Sequence, residues 1–241
     1  QPYMRAGFSE LMRSSKRFPK GHSMIFLPAD YDPDKRYPVL VDPGGLYTLF
    51  GYPWPGRPVS LKSFDPEAAR KLPLDPTFKP ERSLIILIPM DFDEGWDIST
   101  WEGFSALIEA CEERVLADLE KIEKWYGADS SRIGMCGSSA SADLSWAVTN
   151  RHPEVFHGAV VHGSRCSYID KAKIRELALT DSRYYLTIAA NDKPVRVNGM
   201  ENAKRLLDEA GVENVYIKTE KGGHSAGILD LKAAVDYLFF E

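Results

Sequence analysis

Residues 131–150 carry the side chains best suited to nucleophilic chemistry. The segment reads SRIGMCGSSASADLSWAVTN, in which a short apolar run ends at Cys136, a turn of small residues follows, and a helical pattern begins at once. Strand, sharp turn and helix are what a nucleophile elbow requires, because the turn holds a serine hydroxyl exposed at the edge of a sheet. The segment therefore predicts a serine nucleophile, with a serine-rich helix N-terminus as the competing interpretation.

Three serines of this turn compete for the role. A nucleophile elbow has small residues two before and two after its serine, so that strand and helix approach closely. Ser139 has Gly137 and Ser141 at these positions. Ser138 would have Cys136 and Ala140 there, and Ser141 would have Asp143 at its second position, so both fit the pattern less well. We predict Ser139, in a G-x-S-x-S pattern that departs from the usual G-x-S-x-G. We expect Ser141 to be tolerated for its size, and a hydrogen-bonding role for its hydroxyl is the alternative.

The histidine and the carboxylate that must activate this serine are predicted from loops after two later strands. His224 stands in a Gly-Gly-His-Ser loop after the apolar run at 215–218, and Asp192 follows the run at 185–189. Parallel strands end at one edge of a sheet, so the two loops should meet there. These positions predict a triad in the chain order Ser139, Asp192, His224, the order found in α/β-hydrolases. Capping of a turn is the alternative role of Asp192.

Backbone N–H groups for a developing oxyanion are predicted at two places. Ala140, the residue after the nucleophile, offers its N–H at a helix N-terminus. The loop after the apolar run at 39–41 reads Asp-Pro-Gly-Gly-Leu-Tyr, in which Gly45 and Leu46 are the predicted further donors. Glycines there let the backbone turn its N–H groups inward, and a plain turn is the alternative.

Aromatic residues in two loops are candidates for the walls of a substrate pocket. Tyr47 and Trp54 follow the predicted oxyanion loop, and Trp96 and Trp101 follow a later apolar run. Both loops leave strands at the edge predicted for Ser139, and such walls suit a flat acyl group or a sugar ring. Packing of these rings onto the core is the alternative.

Short apolar runs alternate with helical patterns along the chain, which is typical of an α/β fold. Several runs lack alternation of polar and apolar residues, as expected for strands buried on both faces. The predicted strands are residues 24–27, 39–41, 84–88, 132–136, 159–162, 185–189 and 215–218. The predicted helices run from about Glu102 to Trp125, from an N-cap at Asn198 to Ala210, and from Leu229 to Phe240. We expect a single domain over residues 1–241, with a mostly parallel sheet and helices on both of its faces.

The composition of the 241 residues is that of an ordinary globular protein, with 44% hydrophobic and 27% charged residues. The formal net charge of -5 does not indicate nucleic acid as a partner, and no apolar run of about 18 residues predicts a membrane span. We expect no metal and no cofactor. The three cysteines permit at most one disulfide and are predicted to be small buried hydrophobes.

The sequence begins at Gln1, without an initiator Met and without a charged-then-apolar leader. This start favours a processed secreted chain slightly over a cytoplasmic one, and a trimmed chain is the alternative.

Several of these segments resemble the serine esterases of the α/β-hydrolase superfamily, in particular the group that includes feruloyl esterases and polyhydroxybutyrate-depolymerase-like enzymes. The likeness covers most of the chain. It rests on Phe-Leu-Pro at 26–28, Arg-Tyr-Pro-Val-Leu-Val at 36–41, Arg-Ile-Gly at 132–134, Arg-His-Pro at 151–153 and Gly-His-Ser at 223–225. The sequence departs from the group at Pro43, which stands where the oxyanion loop usually has histidine.

This resemblance implies an α/β-hydrolase fold and a serine carboxylic ester hydrolase that acts through an acyl-enzyme without metal or cofactor. Its substrate would be a small-molecule ester, either aromatic of the feruloyl type or short-chain, including esters attached to carbohydrate. A serine peptidase of the prolyl-oligopeptidase kind would use the same triad and is the alternative enzyme. A binding protein on a degenerate hydrolase fold is the alternative without catalysis.

Overall fold

The fold is described from a computed structural model, which describes residues 7–12, 22–28, 31–44, 83–89, 95–220, 222–224 and 231–241. The chain divides into two compact units, Gln1–Ser130 and Ser131–Glu241. The single domain expected over residues 1–241 stays a prediction, and each unit is described by itself.

In the described part of the first unit the strands are β1 (Gly7–Met12), β2 (His22–Leu27), β3 (Tyr37–Val41) and β4 (Ile85–Pro89). β1 pairs with β2 and β2 with β4, both antiparallel, whereas β3 runs parallel to β4. β3 and β4 are buried along their whole length, which explains their unbroken apolar sequences. β1 was not among the predicted strands.

The first unit also contains the helix α1 (Trp101–Tyr126). It begins where the Thr100 hydroxyl accepts a hydrogen bond of 3.1 Å from the Gly103 N–H, and it ends at Gly127, whose φ of 72° closes the last turn. Its buried apolar residues follow the predicted spacing of three and four, and the buried face also holds the charged Arg114 and Asp118. None of the helices in the described ranges is long and apolar enough to cross a membrane.

The second unit is built on a parallel series of strands. These are β5 (Ala128–Ser138), which begins just before the unit, β6 (Gly158–His162), β7 (Arg183–Ala189) and β8 (Glu213–Thr219). Each pairs with the next in chain order, and every pairing is parallel. Their carboxyl ends therefore lie along one edge, from which the three loops predicted to carry the chemistry leave.

Helices cover both faces of this parallel series. They are α2 (Ala140–Arg151), α3 (Lys171–Leu177), α4 (Pro194–Ala210) and α5 (Leu231–Phe239). The ring of Tyr184 packs against Trp146 of α2 at 5.5 Å, and that of Tyr185 packs against Tyr237 of α5 at 5.9 Å. Since consecutive strand residues point to opposite faces, α2 and α5 lie on opposite sides of β7.

The start of α4 differs from the prediction. Asn198 was expected to be the N-cap, but the helix begins at Pro194 and Lys193 is the capping residue, so Asn198 lies inside the helix. Proline suits the first helical position, because its φ is already helical and its missing N–H would have no partner there. The predicted end is confirmed, with Gly211 at a φ of 75°.

All three cysteines, Cys111, Cys136 and Cys166, are free and buried. Burial raises the pKa of the Cys111 and Cys166 thiols far above the ordinary value. As predicted, they are small apolar side chains of the core.

Candidate active site

Ser139 lies in a strained turn between β5 and α2. Its φ of 61° and ψ of -120° fall in a region that residues with a Cβ rarely adopt, at a cost of about 1–3 kcal/mol. The surrounding backbone holds it there. Its N–H donates to the His162 carbonyl oxygen at 2.9 Å, and its own carbonyl accepts from the Asp143 N–H at 3.0 Å. The strand, the strained turn and the helix have the backbone arrangement that the sequence analysis expects around Ser139.

Gly137 and Ser141 make close contact across this turn. A Cβ on Gly137 would lie 2.3 Å from the carbonyl carbon of Ser141, so no larger residue fits at position 137. The Ser141 hydroxyl accepts from the Ser138 N–H at 2.9 Å and donates to the Ser138 carbonyl at 2.8 Å. Ser141 therefore holds Ser138, the residue before Ser139, in place through two hydrogen bonds. We call this pair of hydrogen bonds the Ser141 clamp. The expectation based on its size alone was incomplete, and the hydrogen-bonding alternative describes the contact.

His224 connects Ser139 with Asp192. Its Nε2 lies 2.8 Å from the Ser139 Oγ, and its Nδ1 lies 2.8 Å from the Asp192 Oδ2. The carboxylate is fully buried, whereas the imidazole is about a third exposed, at 36%. The structure thus brings together the three residues that the sequence predicts as a triad, all of them from the second unit.

The charge state of Asp192 determines the direction of these hydrogen bonds. Burial alone would raise the pKa of its carboxyl. The pKa is nevertheless below its ordinary value, because the carboxylate accepts hydrogen bonds from the His224 ring and the Lys193 N–H and lies near the charges of His224 and Arg196. An ionised carboxylate can only accept, so Nδ1 of His224 carries the proton that lies between them. The Nε2 lone pair is then directed at the Ser139 hydroxyl, as a general base requires.

Gly163, directly after β6, lies against the Asp192 and His224 pair. Its φ is 60°, and a Cβ there would lie 3.3 Å from both the Asp192 Oδ2 and the His224 Nδ1. The absence of a side chain lets the carboxylate and the ring meet at this place. Sequence analysis missed Gly163, although a glycine directly after a buried strand was a usable signal.

His162 is a second histidine beside the triad. It is buried, and its Nδ1 lies 2.7 Å from the Thr187 Oγ1 on the neighbouring strand. Burial lowers the pKa of His162 to about 4, and the nearby charge of His224 acts in the same direction. It is therefore neutral at pH 7, with its ring hydrogen-bonded inside the parallel strands.

The remaining predicted site residues are only partly described. Ala140 is the first residue of α2, so its N–H is among those with no acceptor inside the helix. Trp96 and Trp101 belong to the first unit, where Trp101 is 57% exposed. The remaining predicted residues, Gly45, Leu46, Tyr47 and Trp54, lie outside the described residues. The predicted oxyanion and substrate contacts therefore stay predictions. Within the described ranges, no group of three or more His, Cys, Asp or Glu side chains is placed to hold a metal ion.

Comparisons with known proteins identify the fold. No protein-family model matches the sequence, and no curated protein sequence matches it significantly. Among solved structures, a thermostable esterase has a TM-score of 0.63 at 19% sequence identity, over 89% of this chain and 55% of that one. A ferulic acid esterase from Anaeromyces mucronatus, solved in complex with ferulic acid, has a TM-score of 0.64 at 15% identity, over 99% and 92% of the two chains.

A peptidase shares the same fold. Dipeptidyl peptidase 4 from Porphyromonas gingivalis has a TM-score of 0.61 at 14% identity, over 92% of this chain. The chain spans 33% of that peptidase and 55% of the thermostable esterase. At these identities the likeness concerns the fold, and it confirms the predicted α/β-hydrolase fold.

Proposed function

We propose that this chain, which has the α/β-hydrolase fold, is a serine carboxylic ester hydrolase acting through an acyl-enzyme. One observation carries the proposal: Ser139, His224 and Asp192 form a hydrogen-bonded series with 2.8 Å at each link, and its serine stands in a strained elbow. Nucleophile, base and orienting carboxylate within hydrogen-bond reach are the arrangement that acyl transfer needs.

Acylation begins when the Ser139 Oγ attacks the carbonyl carbon of the ester. His224 accepts the hydroxyl proton on Nε2 as the new C–O bond forms, and the carbonyl oxygen becomes an oxyanion. The Ala140 N–H at the start of α2 is the proposed donor to this oxygen, together with Gly45 and Leu46. As the intermediate collapses, His224 gives its proton to the leaving alcohol, and the acyl group stays on Ser139.

Deacylation repeats these steps with water. His224 takes a proton from the water molecule, whose oxygen attacks the acyl carbon, and then returns the proton to the Ser139 Oγ as the acid leaves. Asp192 holds the Nδ1 proton throughout and stabilises the imidazolium that forms in each half of the reaction. Its buried position, with two hydrogen bonds to its carboxylate oxygens, keeps the ring in one orientation.

The proposed substrates are small aromatic esters of the feruloyl type or short-chain acyl esters, including those attached to carbohydrate. The ferulic acid esterase among the matching structures, aligned over 99% of this chain, supports this class. The predicted aromatic residues Tyr47, Trp54, Trp96 and Trp101 are the proposed walls, since flat rings suit an aromatic acyl group.

Active-site labelling with a fluorophosphonate tests the mechanism, and a panel of esters tests the substrate class. We expect covalent labelling on Ser139, turnover of p-nitrophenyl acetate, and the highest kcat/KM within a panel of feruloyl, acetyl and longer acyl esters for one of the first two. Absence of both labelling and turnover would replace the proposal with a binding protein on a degenerate hydrolase fold.

A serine peptidase is the second candidate, and the fold shared with a dipeptidyl peptidase is the observation that favours it. The same triad would attack an amide and protonate an amine leaving group. A panel of peptide anilides separates the two enzymes. Turnover of an anilide above that of every ester would favour the peptidase.

A further inference from the structure

A buried carboxylate lies one turn after the nucleophile. Asp143 is 1% exposed, and its N–H donates to the Ser139 carbonyl. Its Oδ1 accepts from the Ser164 hydroxyl and the Arg165 N–H, each at 2.7 Å, and its Oδ2 accepts from the Arg165 Nε at 2.7 Å. A buried carboxylate is destabilising unless it is paired and hydrogen-bonded, and this one is both. It joins the helix of the nucleophile to the loop after β6.

Arg196 extends this connection to the other two members of the triad. It lies in the first turn of α4, with its side chain 14% exposed and its Nη1 3.8 Å from the Asp143 Oδ1. The same Nη1 donates to the Gly163 carbonyl oxygen. Gly163 is the residue that lies against the Asp192 and His224 pair. One guanidinium therefore contacts both the helix that follows Ser139 and the backbone beside the imidazole.

Arg196 also acts through its charge. In the part of the chain that the structure describes, Asp192 from the loop after β7 and His162 from β6 lie close to the His224 ring, and the charge of Arg196 from α4 lowers the pKa of the Asp192 carboxyl. A cation near the ring disfavours its protonation, because the imidazolium would be repelled. Loss of that cation would make the ring easier to protonate.

We infer that Arg196, paired with Asp143, is a positioning residue that fixes the Asp192 and His224 pair relative to Ser139 and places a positive charge beside it. The inference rests on the proposed function, since it concerns the same site. It assigns a role to two charged residues that the triad mechanism does not use.

The test compares substitutions at Arg196 with one at Arg205. Arg196→Gln removes the charge, Arg196→Lys keeps it, and Arg205→Gln changes an exposed arginine of the same helix that pairs with Glu209. For Arg196→Gln we expect kcat to fall about tenfold with KM little changed, because the reacting groups lose their alignment. The acid limb of the pH profile of kcat/KM should move to higher pH, because a positive charge near the ring is lost. Arg196→Lys should keep the limb in place, and Arg205→Gln should behave as the unaltered enzyme.

A second substitution should move the acid limb of the kcat/KM pH profile in the opposite direction. Asp143→Asn removes a negative charge and leaves both arginines, so protonation of His224 becomes harder and the limb should move to lower pH. If Arg196→Gln does not fold, the pH profiles of Asp143→Asn and Arg196→Lys are compared instead. An acid limb that stays in place in every folded variant overturns the inference, even where kcat falls, because a merely structural arginine would act in that way.

Titration of the His224 ring by NMR gives the same comparison without a substrate. In a Ser139→Ala background, the titration midpoint of the ring should rise on Arg196→Gln and fall on Asp143→Asn. Failure of the proposed function would be seen as no ester turnover by the unaltered chain. Failure of this inference would be seen as a midpoint that does not move.

Discussion

The N–H of Ser139 donates a hydrogen bond of 2.9 Å to the carbonyl oxygen of His162. This bond links the strained turn to the neighbouring strand through backbone atoms alone. Substitution of the serine side chain leaves it in place. The hydroxyl of Ser139 can therefore be removed with little change in the turn that presents it.

The first prediction concerns this hydroxyl. Ser139→Ala should lower kcat by a factor of about 10⁴ or more, because the covalent step requires the Oγ, while the melting temperature stays close to that of the unaltered chain. Turnover of p-nitrophenyl acetate and a thermal melt measure both. Ser138→Ala is the matched control, since the turn uses only the backbone of Ser138. An active Ser139→Ala beside an inactive Ser138→Ala would place the nucleophile one residue earlier.

The second prediction is the pH dependence of the reaction. His224 must be neutral in the free enzyme to accept the serine proton, so kcat/KM should decrease at acid pH, where the ring is protonated. Initial rates at low substrate concentration between pH 4 and 9 give this profile. A constant kcat/KM down to pH 5 would contradict the role of His224.

The third prediction concerns the clamp formed by Ser141. Ser141→Ala and Ser141→Gly both remove its two hydrogen bonds to Ser138, at about 1 kcal/mol of unfolding free energy for each bond. We expect kcat to fall about three- to tenfold in both, because the elbow loses its support. Ser141→Val should fold poorly, since the added branch meets a crowded turn.

Ser145→Ala is the control for these variants. Its hydroxyl donates to the Ser141 carbonyl within the same helix at 2.8 Å, one turn away from the elbow. The Ser145→Ala variant should have a lower free energy of unfolding and an unaltered kcat. A Ser141→Ala enzyme with unaltered kcat and unaltered stability would show that the clamp has no role.

The fourth prediction uses two glycines with the same type of backbone. Gly163→Ala places a Cβ 3.3 Å from the Asp192 Oδ2 and the His224 Nδ1, so the pair must shift, and kcat should fall at least about tenfold. Gly211→Ala is the matched control, because Gly211 also has a positive φ, of 75°, but a Cβ there meets nothing within 4 Å. Both variants should lose about 1 kcal/mol of stability from backbone strain. Equal kcat values in the two variants would contradict the role assigned to Gly163.

The fifth prediction concerns the stability of the protein in acid. The pKa of His162 is lowered to about 4 by burial and the charge of His224, whereas an unfolded histidine titrates near 6.5. Between these values the unfolded chain binds more protons, so the free energy of unfolding should decrease as the pH falls from about 6.5 to about 4. The contribution of His162 reaches at most about 3 kcal/mol at the acid end of this range.

His162→Gln removes the titrating group and keeps a side chain that can hydrogen-bond to Thr187. Its unfolding free energy, measured with urea at pH 7, 5.5 and 4.5, should depend less on pH than that of the unaltered chain. Parallel curves for the two proteins would show that His162 is not the group responsible.

The features that the sequence predicted well depend on local signals. The apolar runs of β3 and β4 are buried on both faces, so their composition marks them as interior strands. Gly137 marks the elbow, since its contact partner Ser141 lies only four residues away. The start of α4 also had a local signal in Pro194, and the N-cap was predicted too late because this proline was not considered.

The features that were missed depend on contacts between distant parts of the chain. Asp143 and Arg196 meet because α2 and α4 begin at the same edge of the parallel strands, and no spacing within either helix indicates this. Gly163 and His224 are also far apart in the sequence. The role of Gly163 follows only from the backbone of β6, which brings it against the imidazole. Asp143, Arg196 and Gly163 can therefore be assigned to the site only once the topology is known.

The strand β6 and the residues just after it supply none of the three triad side chains, yet they contact Ser139, the Asp192 and His224 pair, and Asp143. The His162 carbonyl holds the nucleophile, Gly163 borders the imidazole, and Ser164 and Arg165 bind Asp143. For enzyme engineering, this segment is the part that a chimera must retain. Grafting other substrate loops onto the chain should keep fluorophosphonate reactivity when residues 158–166 are preserved, and should abolish it when they are exchanged alone.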